Sequence, residues 1–171
     1  KAFHRKNSLD LALEYYKRSL KIKERIGNQK DIAYTLHILG NTYLRLNNFD
    51  QALEHYQRAL LIREDIGDKF YIAQSLHNIG LVYEKLKNKD QALEYLNDAL
   101  KLRKDIGDKT GLSSVLNDLG NHYMNQGKQK KALQKYLEVT DIGKKTGEKY
   151  YTALCSRKAG NIYIERNQIN K

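Results

Sequence analysis

The sequence contains no proline and no tryptophan, and it has a single cysteine. A chain of 171 residues without proline is untypical of loop-rich β proteins, because their turns use proline often, so the composition indicates mainly helix. One cysteine excludes an internal disulfide framework and supplies no metal-ligand spacing, so we predict neither a cofactor nor a metal site. We predict Cys155 to be a small buried residue rather than a reactive thiol.

Long apolar segments are also missing. No run approaches the roughly 18 apolar residues of a membrane span, and no signal peptide is visible, so we predict no membrane insertion. A single cysteine suits the reducing cytoplasm, the location that we predict, although a periplasmic domain without disulfides has the same composition. The sequence starts at Lys1 without methionine and stops within a repeated pattern at Lys171, so we expect a fragment of a longer protein.

The positive charge is unevenly distributed. The net charge is +11, and residues 109–171 hold 12 Lys and Arg against 5 acids. A basic surface can attract nucleic acid, anionic lipid or an acidic peptide. Because no concentrated basic arm or aromatic–basic groove is present, we interpret the charge as a solvated lysine coat and do not expect a nucleic-acid partner. The alternative, salt-dependent nucleic-acid binding, would centre on Lys128, Lys130, Lys131 and Lys135.

An internal repeat organises the sequence. Four independent series of residues recur every forty positions, which indicates a repeat protein rather than chance similarity. The series are Gly40, Gly80, Gly120 and Gly160; Tyr43, Tyr83, Tyr123 and Tyr163; Ala12, Ala52, Ala92 and Ala132; and Gly27, Gly67, Gly107 and Gly147.

Each forty-residue unit contains two helical patterns, which we term helix A and helix B. In the first complete unit, apolar residues at helical spacing predict helix A over residues 31–46 and helix B over residues 49–66. Asn47 and Asn48 suit the turn between the helices, and Gly67 suits the end of helix B. Gly40 lies in mid-helix, where glycine costs about 1 kcal/mol relative to alanine. We therefore expect another helix to approach closely at this position.

The repeated motif resembles the tetratricopeptide repeat, whose consensus is W-x2-L-G-x2-Y followed by A-x3-F. The first copy consists of Leu36, Leu39, Gly40 and Tyr43, followed by Ala52 and Tyr56, and further copies follow at intervals of forty. The resemblance implies an all-α fold, a right-handed superhelical solenoid of antiparallel helix pairs. Residues 1–171 would form one solenoid, with helix B of a partial repeat (1–27), complete repeats (28–67, 68–107 and 108–147) and helix A of a partial repeat (148–171).

Two departures from the consensus concern the length of the repeat. The period is forty rather than thirty-four residues, and the helix-ending proline of the family is missing. Both departures imply longer helices, which resembles the subclass found in kinesin light chains and spindle-orientation scaffolds. The segment 62–69 is also similar to arrays attached to bacterial histidine kinases and nucleotide cyclases, although the chain contains no kinase or cyclase residues.

The resemblance also implies that residues of the A helices line a concave groove. Taking 100° per residue from the apolar stripe, we place a set of residues on the flank of helix A roughly 80–160° away. From this flank we predict a peptide-binding set, which we term the helix A face: Tyr34, His37, Asn41, Gln74, His77, Asn117, Asn121, Arg157 and Asn161.

The asparagines of this set suggest how a ligand would be held. An asparagine amide has donors and an acceptor, so Asn41, Asn121 and Asn161 are suited to pairing with the backbone of an extended peptide. The alternative is that they bond neighbouring helices or water. Only Arg157 with Asn161 matches the family's clamp for a terminal carboxylate, so we do not predict binding of chaperone tails.

The histidines give little support to a metal site. His37 and His77 occupy equivalent positions, but no third ligand has suitable spacing, so we interpret both as polar residues of the groove. We expect His55 and His122 to be exposed and without a special role. No catalytic grouping or nucleotide-binding loop is present, and we predict that the chain is not an enzyme.

The leading functional hypothesis is therefore a protein-interaction module that binds a peptide or protein segment, as the sensory or scaffold part of a larger protein. The alternative is a structural spacer or self-association arm in a multidomain signalling protein. In that case apolar residues at the ends of the solenoid would be exposed and would drive association into a homo-oligomer. The predicted end residues are Leu9, Leu13, Tyr16, Ala159 and Tyr163.

Overall fold

The computed structural model describes the backbone of residues 2–169 and the side chains of residues 8–167. The described residues form eight α-helices and no strand, which confirms the all-α prediction. The helices are α1 (Ala2–Ile26), α2 (Gln29–Arg45), α3 (Phe49–Ile66), α4 (Lys69–Lys85), α5 (Lys89–Asp105), α6 (Lys109–Asn125), α7 (Gln129–Thr146) and α8 (Tyr150–Ile169). Helices α2, α4, α6 and α8 are the A helices of the sequence pattern, and α1, α3, α5 and α7 are the B helices.

The chain divides into two compact units, Lys1–Ala92 and Leu93–Lys171. In the first unit, α1 packs on α2, α2 packs on α3, and α3 packs on α4. In the second unit, α7 packs on both α6 and α8, and α6 also contacts α8. Short connections between consecutive helices favour this arrangement, because they hold neighbours in the sequence side by side. The division into three complete repeats within one solenoid stays a prediction.

Polar side chains and left-handed residues set the helix limits in the first unit. Asn28, Asn48 and Asp68 each accept a hydrogen bond from the backbone N–H three residues later, at 3.3 Å. These bonds satisfy N–H groups that the first turn of a helix cannot pair internally. Gly67 ends α3 with a φ of 76°, in the left-handed region that glycine adopts without strain. The predicted turn residue Asn47 is also left-handed, with a φ of 58°.

The mid-helix glycines allow a tyrosine ring of helix B to lie against helix A. A Cβ atom placed on Gly40 would lie 2.7 Å from ring carbons of Tyr56, and one placed on Gly120 would lie closer still to the ring of Tyr136. Both tyrosines are buried. The close approach that the sequence predicted therefore occurs in both units, and only glycine fits at these positions, because a methyl group would overlap the ring.

This packing predicts opposite effects for the same substitution at two glycines. We expect Gly120→Ala to lower the free energy of unfolding by about 1–3 kcal/mol, because the Tyr136 ring is buried and cannot move aside. Gly160→Ala should raise it by about 0.5–1 kcal/mol, because a Cβ there meets nothing within 4 Å and alanine is the better helix former. Urea unfolding of both variants measures the difference. Equal effects would contradict the packing role of Gly120.

The structure corrects two predictions of exposure. His55 and His122 are buried rather than exposed. His55 packs against Tyr43 with ring centroids 5.1 Å apart, and His122 on α6 keeps only 1% of its surface accessible. Leu9 and Leu13 are also buried, since α1 packs on α2.

A different set of apolar residues is exposed towards the two ends of the chain. On α1 these residues are Leu11, Tyr15, Ile22 and Ile26. On α8 they are Tyr163 and Ile164. Of the predicted end residues, Tyr163 is thus exposed, whereas Ala159 is buried and Tyr16 is half-buried. Self-association through these surfaces stays a prediction.

Candidate functional site

The part of the helix A face in the first unit contains two exposed side chains. Tyr34 is 55% exposed, and Asn41, two turns further along α2, is also exposed. On α4, Gln74 is half-buried. His37 and His77 are largely covered by neighbouring side chains, and His37 keeps only 7% of its surface accessible. A ligand on this unit would therefore meet the tyrosine and the amides before the imidazoles.

The amide oxygen of Asn41 already has a partner inside the protein. The Tyr56 hydroxyl donates a hydrogen bond to Asn41 Oδ1 over 2.6 Å. This bond links helix B to helix A in the same place where the Tyr56 ring covers Gly40. Among the described residues, no partner is found for the Asn41 amide nitrogen, so its two N–H groups are the part of this side chain that a ligand can use.

His37 belongs to a buried polar network around Arg63. Arg63 Nη1 lies 3.4 Å from His37 Nδ1, and the amide of Asn78 lies 3.5 Å from His37 Nε2. Because a guanidinium only donates, Nδ1 must be the acceptor and the imidazole is held neutral. Burial, and secondarily the positive charge of Arg63, lowers the pKa of His37 to about 4. His37 thus lies beneath the exposed residues of the helix A face, and its imidazole is uncharged at neutral pH.

In the second unit, a lysine that the sequence analysis did not identify connects the predicted asparagines. Lys158 on α8 donates to Asn117 Oδ1 and to Asn121 Oδ1, both at 2.7 Å. The Tyr136 hydroxyl also donates to Asn121 Oδ1 at 3.0 Å. The amide nitrogens of both asparagines donate to Asp118 Oδ1. These side chains therefore join α6, α7 and α8. This arrangement corresponds to the alternative considered above, in which the asparagines bond neighbouring helices.

The environment of Lys158 explains its position. Its ammonium lies 5.2 Å from the centre of the Tyr136 ring, within the range of a cation–π interaction. Desolvation by burial lowers the pKa of Lys158. In the sequence, the only feature that connects Lys158 with the repeat is its position forty residues after the half-buried Asp118. A lysine at such a position is normally expected on the surface, so the sequence alone did not indicate its contacts. The remaining predicted residues of this unit, Arg157 and Asn161, are both exposed on α8.

A cavity of about 240 Å³ adjoins Tyr34 in the first unit. It lies where the start of α2, the end of α3 and the start of α4 meet, and Arg63 is its innermost polar residue. The lining residues are Lys30, Asp31, Ala33, Tyr34, Arg63, Ile66, Asp68 and Tyr71. One signal for this feature was present in the sequence, since Arg63 interrupts the otherwise apolar stripe of helix B.

The remaining candidate groups are structural in character. Cys155 is buried, as predicted, and burial raises the pKa of its thiol to about 11, so it is protonated at neutral pH. Among the described residues there is no cluster of three His, Cys, Asp or Glu side chains that could ligate a metal ion. No helix in the described part of the chain has the length and apolar character needed to cross a membrane.

Solved structures with the same fold include several repeat proteins. A putative kinesin light chain from Podospora anserina superposes with a TM-score of 0.77 at 15% identity, covering 98% of this chain and 82% of that one. A Rap protein complexed with competence and sporulation factor gives 0.78 at 15% identity, covering 98% and 47%. The TPR2AB domain of yeast Sti1 in complex with pHSP90 gives 0.67 at 23% identity, covering 81% and 49%. The chain thus spans about half the length of the latter two structures.

The comparison with family models identifies the repeat itself. The tetratricopeptide repeat model matches residues 1–65 and 31–105, which together make up more than half of the chain. A search of the curated proteins returns no match. The matched region includes the Gly40–Tyr56 contact that defines the packing of helices A and B. The chain belongs to the tetratricopeptide repeat family, an all-helical scaffold for protein–protein interaction.

Proposed function

We propose that the chain binds an extended segment of a partner protein through the helix A face of each unit. The observation that carries this proposal is the exposure of Tyr34 and Asn41 on α2 and of Arg157 and Asn161 on α8, residues that we predict on the side of the A helices where the family resemblance implies a ligand. The Rap and Sti1 structures, which share the fold, each hold a second component. An array of this kind distributes affinity over many modest contacts.

The hydrogen bonds of the asparagines refine which atoms would hold the segment. The oxygens of Asn41 and Asn121 already accept hydrogen bonds within the protein. The free N–H groups of Asn41 would therefore donate to carbonyl oxygens of the segment, and Asn161 and Arg157 would act in the same way on α8. Tyr34 adds apolar contact area at a low cost in side-chain entropy. His37, His77, Asn117 and Asn121 would support these residues from beneath.

The proposal is tested by selecting peptides and mapping their contacts. Peptides selected from a displayed library on the whole chain are labelled, and their affinity is measured by fluorescence polarisation. Tyr34→Ala and Asn161→Ala should each weaken binding about 5- to 30-fold, the usual range for residues central to an interface. Neither side chain has a hydrogen bond among the described contacts that the substitution would break. Loss of binding is thus separable from loss of folding.

Matched controls lie on the B helices. Gln57 on α3 and Gln134 on α7 are exposed polar residues outside the helix A face. Gln57→Ala and Gln134→Ala should leave the affinity within about twofold, as surface substitutions away from a contact do. Circular dichroism verifies that all four variants remain helical. If the control variants weaken binding as much as Tyr34→Ala and Asn161→Ala do, the segment binds elsewhere and the proposal is wrong.

Self-association is the second candidate, and one observation favours it. Helix α8 exposes Tyr163, and a Cβ atom placed on Gly160 would meet nothing within 4 Å, whereas the equivalent Tyr43 and Gly40 are covered by helix B residues. A helix B from a second copy, such as α1, would cover this surface. Light scattering at two protein concentrations is therefore measured together with the peptide titration, because a dimer would itself cover the ends of the helix A face.

A further inference from the structure

The cavity beside Tyr34 contains a buried positive charge without an anionic partner. Arg63 has only 3% of its surface accessible. Its hydrogen bonds to the described residues all start from Nη1 and end on uncharged acceptors, the Ser75 hydroxyl at 2.6 Å and the Tyr71 carbonyl at 3.0 Å, with His37 Nδ1 beyond them. No described carboxylate lies within ion-pair distance of its guanidinium. Burial accordingly lowers the pKa of Arg63 to about 10, although Tyr71 and Asp68 act in the opposite direction.

The equivalent arginine of the second unit is paired differently. Arg103, forty residues later, is also buried, but its Nη1 donates to the carboxylate of Asp108 in an ion pair. Asp108 is the counterpart of Asp68, so both arginines have an aspartate available at the same distance along the chain. An ion pair of this kind is the ordinary way in which a protein compensates a buried guanidinium.

Two residue differences accompany the contrast. Ser75 accepts a hydrogen bond from Arg63, whereas its counterpart Val115 offers no side-chain acceptor to Arg103, and positions 71 and 111 also differ. Position 111 is glycine, and a Cβ atom there would lie 2.6 Å from Arg103 Nε and would also overlap the Asp108 carboxylate. Position 71 carries a tyrosine, whose ring centre lies 5.0 Å from the Arg63 guanidinium carbon. Asp68 cannot close over Arg63 as Asp108 closes over Arg103. The cavity keeps the unused N–H groups of Arg63 available to a ligand.

We propose that this cavity is a subsite for the carboxylate of an acidic side chain in the bound partner segment. The inference depends on the proposed function, because Tyr34 belongs both to the helix A face and to the cavity wall. A guanidinium fork matches a carboxylate in geometry and charge. Tyr34, Tyr71 and Ile66 would pack against the methylene groups of the acidic side chain. Lys30 and Arg63 are balanced by Asp31 and Asp68 in the lining, which favours a singly charged carboxylate over a doubly charged phosphate.

Nuclear magnetic resonance of the whole chain tests this subsite directly. N-acetyl-glutamate N-methylamide is titrated while the side-chain Nε–H signals of Arg63 and Arg103 are observed. We expect saturable shifts of Arg63 and of the Tyr71 backbone, and no shift of Arg103, which serves as an internal control. The matched glutamine compound should bind about tenfold more weakly or not at all, because it lacks the charge. Inorganic phosphate should also bind more weakly than the glutamate compound.

Substitutions at position 71 test the cause of the open site. Tyr71→Gly should let Asp68 close over Arg63 and reduce glutamate binding about tenfold. Adding Asp68→Asn, which keeps the capping hydrogen bond to α4 but removes the negative charge, should restore most of the binding, less the contribution of the Tyr71 ring contact. The inference is overturned if the glutamine compound shifts Arg63 equally, if Arg103 titrates in parallel, or if glutamate binding is unchanged in Tyr71→Gly.

The outcome is separable from that of the peptide experiment. A glutamate titration of Arg63 in a chain that binds no selected peptide would support the subsite and count against the proposed function. Selected peptides that depend on Tyr34 and Asn161, without any response of Arg63 to glutamate, would support the proposed function and overturn the subsite alone.

Discussion

Tyr56→Ala is expected to lower the free energy of unfolding by about 3–5 kcal/mol, the usual cost of removing a large aromatic side chain from a core. Tyr56 has no accessible surface, its ring covers Gly40, and its hydroxyl bonds Asn41 Oδ1 at 2.6 Å. Its ring also lies 5.4 Å from that of His37. The substitution leaves a void where α2 and α3 approach most closely. The α2 residue that faces this void is Gly40, which has no side chain that could fill it.

Two further variants divide this loss into its parts. Tyr56→Phe keeps the ring and removes only the hydroxyl, so it should cost about 1 kcal/mol. Tyr15→Ala removes an aromatic side chain of the same size that is 60% exposed on α1, and it should change stability by less than about 0.5 kcal/mol. Urea unfolding followed by circular dichroism measures all three. A loss in Tyr56→Ala no greater than that in Tyr15→Ala would show that the Gly40–Tyr56 contact does not hold the helices together.

The repeat explains why so much of the fold was predictable. Gly40 and Tyr56 are sixteen residues apart, and their recurrence at Gly120 and Tyr136 indicates that the same contact forms twice. Helical periodicity and the glycine and asparagine signals located the helix ends to within two residues, since caps depend on local chemistry. For α2, the prediction of residues 31–46 compares with the observed Gln29–Arg45.

Side-chain environments were less predictable, because they depend on which helix covers which face. His55 and His122 belong to polar stretches of the sequence, yet both are buried in the fold. The partners of the asparagines, Tyr56 and Lys158, come from other helices, 15 and 37 residues away from the amides that they bond. The motif locates such positions on the A helices but does not determine what faces them.

The difference between Arg63 and Arg103 shows a further limit of the repeat pattern. Both arginines are followed five residues later by an aspartate, and a sequence reading would assign them the same environment. Two differences separate them: Tyr71 stands where the second unit has Gly111, and Ser75, which accepts a hydrogen bond from Arg63, stands where it has Val115. Differences between equivalent positions of the repeats therefore create local chemistry, and functional sites are best sought where such positions differ.

His37 is expected to make the first unit sensitive to acid. Its folded pKa of about 4 lies below the ordinary value of 6.5, owing first to burial and second to Arg63. Between these values the unfolded chain binds a proton that the folded chain does not, so stability falls as the pH is lowered from 6.5 towards 4. Above pH 6.5 the group has no effect. The full loss below pH 4 is about 3 kcal/mol, since one pKa unit corresponds to about 1.4 kcal/mol.

The variant His37→Gln isolates this contribution from that of the carboxylates. Glutamine does not titrate, and its amide oxygen can accept the hydrogen bond from Arg63. Between pH 7 and pH 4.5, the wild-type chain should lose about 2–3 kcal/mol more of its free energy of unfolding in urea than the variant does. In nuclear magnetic resonance spectra of the wild type, the imidazole carbon signal of His37 should also keep the chemical shift of the neutral ring until the pH approaches 4. Equal losses in both proteins would mean that His37 can be protonated in place, with Arg63 moving away from it into the cavity. In that case the guanidinium would be mobile, and the cavity would not hold it in a fixed position for a carboxylate.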